Sequence, residues 1–71
     1  MPLGSLVKPI NQFLYLTPQG EDSIEDLEKW PEWSSKDIGI VLSNSENLSQ
    51  VLVMTPNGTG FCYLDEIRLI A

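Results

Sequence analysis

No histidine occurs anywhere in this chain of 71 residues, which removes the usual general base, the proton shuttle and the imidazole metal ligand together. Serine–histidine and cysteine–histidine catalysis are excluded at once. Cysteine is nearly as scarce: Cys62 stands alone, so no intramolecular disulfide can form and the paired ligands that zinc needs are missing. A chain without such staples suits a reducing compartment, and the expectation is a cytoplasmic location. Basic residues are few, four against ten acids, for a net charge of −6. An acidic surface repels phosphate backbones, and Lys8, Lys29, Lys36 and Arg68 are too scattered to make a footprint, so no nucleic-acid partner is expected. Long apolar runs are also lacking. Nothing approaches the roughly 20 apolar residues of a membrane span, and no charged segment followed by an apolar run marks a leader. No membrane association is expected.

Further chemistry falls away on inspection of spacing. The acids between residues 21 and 32 do not follow the calcium-loop pattern, so no metal and no cofactor is expected. Asn57-Gly58-Thr59-Gly60 joins two extended segments and opens no helix, which makes it a hairpin turn and not a phosphate loop. Paired carboxylates can cleave glycosides only where a deep cleft drives their pKa values apart, and so short a chain offers none. The two sequons, at Asn47 and Asn57, fall in loops for ordinary turn reasons. The chain reads as a non-enzyme.

What is present is a run of short apolar segments. Asp37 to Leu42, Val51 to Met54, Phe61 to Leu64 and the ending Asp65 to Ile70, its strand at Arg68 to Ile70, read as four successive strands. From Ile38 onward the period is two: Ile38, Ile40 and Leu42 alternate with Gly39 and Val41, while Val51 and Val53 alternate with Leu52 and Met54. Both faces are apolar, so one is core and the other is covered or sticky. Thr55-Pro56-Asn57-Gly58-Thr59 carries the strongest turn signal, since proline presets φ and Asn-Gly accepts positive φ. Leu64-Asp65-Glu66-Ile67 suits a single 3₁₀ turn leading into the last strand. Before these, Gly4 to Pro9 reads as a first strand, with Pro9 removing a ladder donor at its end. Its opening, Met1-Pro2-Leu3-Gly4-Ser5, has two readings, the lead into that strand or the remnant of a cleaved fusion tag. Cys62 lies mid-strand among aromatics and reads as a small hydrophobe.

Between the first strand and the rest lies an acidic excursion, residues 11–36. Phe13 to Thr17 is extended in character and closes on Pro18, Gln19 and Gly20. Ser23 with Asp26 makes a capping box, Glu25 and Lys29 form an i,i+4 pair, and Pro31 stops a short helix by residue 29 or 30. Ile24, Leu27 and Trp30 share one side of it and are expected to face the core. Six carboxylates, Glu21, Asp22, Glu25, Asp26, Glu28 and Glu32, stand here against Lys29 alone, so nearly all the net charge is one patch. Tyr15, Trp30 and Trp33 lie in or beside it. Aromatics ringed by acids suit a basic or proline-containing peptide, and Tyr15, Glu21, Asp22, Glu25, Asp26, Trp30 and Trp33 are the candidate protein-binding residues. The tryptophans have a second reading, closing one end of a small core, and the acids another, a solvated helix face.

The order of strand, long excursion, strand, loop, strand, tight turn, strand, 3₁₀ turn and strand resembles SH3-like barrels. More narrowly, Gly4-Ser5-Leu6-Val7-Lys8, Trp33 shortly before Gly39-Ile40-Val41-Leu42, Val51-Leu52-Val53, Asn57-Gly58 and Leu64 to Ile70 resemble the small SH3-like proteins of tailed bacteriophages, marine and cyanobacterial ones among them. The resemblance implies a mainly β fold: one domain over residues 1–71, a five-stranded SH3-like barrel with a short helical insertion between the first and second core strands. It also implies action in the cytoplasm of a host cell. Such phage chains commonly carry tryptophan just before the tight turn, where Met54-Thr55 stands here, and Phe13-Leu14-Tyr15-Leu16 lacks the paired tyrosines of signalling SH3 domains. The expected function is protein–protein interaction through the excursion. Two alternatives accompany it: an acidic DNA mimic that inhibits a host enzyme, and a structural or virion-associated protein that self-assembles through Leu52, Met54 and Tyr63.

Overall fold

The structure, a computed structural model, describes residues 2–18, 30–44 and 49–71. Within them the backbone is mainly β: β1 (Leu6–Pro9), β2 (Phe13–Tyr15), β3 (Thr17–Pro18), β4 (Glu32–Ser34), β5 (Gly39–Asn44), β6 (Gln50–Thr55), β7 (Gly58–Tyr63) and β8 (Ile67–Leu69). A 3₁₀ turn, Leu64–Glu66, joins the last two, as the sequence leads one to expect. It is held by the Glu66 carboxylate, which accepts the Tyr63 backbone N–H at 2.9 Å. The expected helix at residues 23–30 and the facing of Ile24 and Leu27 lie outside the described residues, as do Glu21, Asp22, Glu25 and Asp26.

Six strands form one sheet in the order β3-β7-β6-β5-β1-β8, and β2 and β4 form a separate two-stranded ribbon. All the pairings are antiparallel. The closed barrel expected from the sequence is not formed by these sheets, which leave β3 and β8 as the two edges. The edge elements are short for closure. β3 has two residues and ends in Pro18, which has no N–H to extend a ladder, and β8 has three. The segment Phe13 to Thr17, expected as one extended arm, changes partner at Leu16: β2 pairs with β4, and β3 pairs with β7. Burial explains the break, because Leu16 is withdrawn completely into the core.

Alternation then sorts the side chains. Val41, Val51, Val53 and Cys62 point inward and meet Val7, Leu16, Trp33 and Ile67, with Leu14 and Leu64 packed against them. The ribbon lies over this inner side of the sheet, its Trp33 indole seated on Gly39. A Cβ at Gly39 would stand 2.6 Å from Trp33 Cζ2, so glycine is what lets the ring and the strand meet. Between β5 and β6 the register slips once: Val41 faces Val53 and Ser43 faces Leu52, leaving Leu42 as the extra residue of a β-bulge. The β6–β7 connection is tight, with Thr55 opposite Gly58 and only Pro56 and Asn57 between. The positive φ of this turn, 145°, falls at Gly58. Thr55 Oγ1 donates to the Gly58 carbonyl at 2.8 Å and closes it.

Candidate functional site

Period two decides what the ribbon shows to solvent. The register pairs Phe13 with Ser34, Leu14 with Trp33 and Tyr15 with Glu32. Leu14 and Trp33 face the sheet, so Phe13, Tyr15, Glu32 and Ser34 face away from it. Phe13 and Tyr15 are half exposed, and their rings meet edge to face with centroids 5.8 Å apart and planes at 79°. This T-shaped contact favours one mutual arrangement of the rings and leaves both accessible. An open groove of about 430 Å³ runs beside them, lined by Gln12, Phe13, Glu32, Ser34, Ser35 and Lys36. Phe13 is its aromatic lining residue, with Glu32 and the exposed Lys36 as the charged ones.

Hydrogen bonds tie together the backbone around these residues. Ser35 N–H donates to the Gln12 carbonyl at 2.8 Å, Asp37 N–H to the Ser34 carbonyl at 2.9 Å, and Lys36 N–H to Ser34 Oγ at 3.2 Å. Trp33 Nε1 donates to the Asp37 carbonyl at 3.0 Å, tying the turn after β4 to the core. From the other side, Asn57 Nδ2 donates to the Glu32 carbonyl at 2.6 Å, so the tip of the β6–β7 hairpin braces the ribbon. Leu16 N–H donates to the Pro31 carbonyl at 2.9 Å and holds the two arms of the excursion together.

Of the residues singled out from sequence, the structure brings Tyr15 to this face. Trp33 takes its core reading: it is fully buried and leaves no ring surface for a partner. Trp30 is half-buried just before Pro31, whose ring rests against Gly58. Glu21, Asp22, Glu25 and Asp26 lie outside the described residues, so the acidic patch, as a peptide site or as a DNA mimic, has no geometry here. Phe13, Glu32, Ser34 and Lys36 are groove residues that sequence reasoning missed. The signal was present for Phe13, two positions before Tyr15 on the same side of a strand. Leu52, Met54 and Tyr63 lie elsewhere, on the outward side of β6 and β7.

Cys62 points inward on β7. Burial, and after it the negative charge of Glu66, pushes its thiol up to about 12. It is protonated at neutral pH and poorly nucleophilic. Among the described residues no cluster of histidine, cysteine, aspartate or glutamate could hold a metal ion, and no helix is long and apolar enough to cross a membrane. The chain matches no protein-family model, no curated protein and no solved structure.

Proposed function

We propose that this chain is an SH3-like interaction domain without enzymatic activity, which binds a proline-containing or basic peptide segment of another protein along the β2–β4 ribbon. The observation that carries the reading is the exposed Phe13–Tyr15 ring pair, with the acidic Glu32 opposite Tyr15 on the same exposed face. Flat aromatic walls take proline rings and aliphatic stems, and a carboxylate at their end takes a lysine or arginine head. Two features support the SH3-like part. The sheet holds the five-strand run β8-β1-β5-β6-β7, and the ribbon strands β2 and β4 fall in sequence between β1 and β5, where the resemblance implies an insertion. The bacteriophage origin belongs to the same proposal and is tested by the genes that flank this one.

The binding test is an array of peptides of about ten residues rich in proline, arginine and lysine, followed by NMR titration of the hits. The expected shifts concentrate at Phe13, Tyr15, Glu32 and Ser34, and Tyr15→Ala weakens binding at least ~10-fold while the fold is kept. An array without hits, or hits that bind the Tyr15→Ala and Phe13→Ala variants unchanged, overturns the reading.

A further inference from the structure

The outward side of β5, β6 and β7 is apolar where a solvated sheet face would carry charge. Ile38, just before β5, is 46% exposed, Leu42 41%, Met54 43% and Tyr63 50%, and half-buried Ile40, Leu52 and Phe61 lie among them. The strand register makes these neighbours: Ile40 stands opposite Met54, Leu52 opposite Phe61, and Gln50 opposite Tyr63. The β-bulge adds to the face, since the slip turns Leu42 and Ser43 to the same side. Among the described residues, every outward position of these three strands is uncharged, with Ser43, Gln50 and Thr59 as the polar ones. The molecule as a whole has a net charge of −6.

We infer that this face is the interface of a reversible homodimer, two copies packing sheet on sheet about a two-fold axis. Three arguments select a second copy over other occupants. Copies of an acidic chain repel one another, and an uncharged face is where they can meet with the least Coulombic cost. An anionic lipid surface repels the same chain and finds no basic residue on these strands to hold it. The area also fits. Half-exposed side chains of this size give on the order of 400–500 Å² per copy, or ~900 Å² in all, at the low end of specific interfaces and suited to a weak, concentration-dependent dimer. Sheets stack about 10 Å apart when rows of alternate side chains interdigitate, and a two-fold axis brings each row onto its own mate.

Sedimentation of the full chain over a concentration series tests this. A monomer–dimer equilibrium is expected, with a Kd on the order of 100 μM. Added salt should tighten it by screening the acids of the two copies. Met54→Glu sets like charges against each other near the axis and should weaken the dimer at least ~10-fold, as should Ile38→Ser, whereas Leu69→Ser on the β8 edge should change nothing. Peroxide should oxidise Met54 readily in dilute protein and more slowly in concentrated protein. Three results overturn the inference: a monomer at every concentration, a dimer indifferent to both face variants, or Met54 shielded even at the lowest concentration, which would mean that the chain covers its own face.

Discussion

Gly39 stands where the ribbon's Trp33 meets the main sheet. A side chain there would meet Trp33 and Val53 at 2.6 Å each, with both partners fully buried and unable to retreat. Gly39→Ala should therefore destabilise the fold by about 1–3 kcal/mol, a large fraction of what so small a domain holds, and urea denaturation followed by tryptophan fluorescence will measure it. Cys62 gives a pH prediction. Its folded-state value of about 12 stands above the ordinary 9.0, so above pH 9 the unfolded chain releases a proton that the folded chain keeps. The stability linked to this thiol is complete below pH 9 and is lost progressively as pH rises from 9 towards about 12. Urea midpoints across that interval should fall more steeply for the native chain than for Cys62→Ala, which lacks the group.

At the scale of elements, the ribbon is the part whose position depends on distant residues. Asn57 and Glu32 are 25 positions apart in sequence, yet the Asn57 amide is what braces the ribbon against the hairpin tip. Asn57→Ala should cost about 0.5–1.5 kcal/mol and leave the main sheet intact, with amide exchange quickening at the ribbon before it does at β6. The strands after residue 37, the tight turn and the 3₁₀ turn are legible in the sequence because period two, Pro-Asn-Gly and the break at Asp65-Glu66 are local signals. The open ends of the sheet are not, because they depend on whether β3 and β8 reach each other, and no local pattern encodes that meeting. The aromatics show the same limit. Tyr15 and Trp33 look alike as large side chains in an acidic stretch, but their strand parity sends one outward and the other into the core. Neither parity can be known until the β2–β4 register is fixed.

For the whole molecule, the two proposed surfaces lie on opposite sides of the core, since the ribbon covers the inner side of the sheet and Met54 stands on the outer. A dimer closed through β5, β6 and β7 would turn both ribbons outward. A partner with two peptide motifs would then gain avidity over one with a single motif, provided the spacer spans the dimer. The position of β1 has a different consequence. It lies between β5 and β8, and the Leu6 N–H donates to the Ala71 carbonyl at 2.9 Å. β1 thus finds one of its neighbours, β8, across most of the sequence. That pairing should form late and make folding slow for a domain of this size, because a long loop must close before it returns any energy.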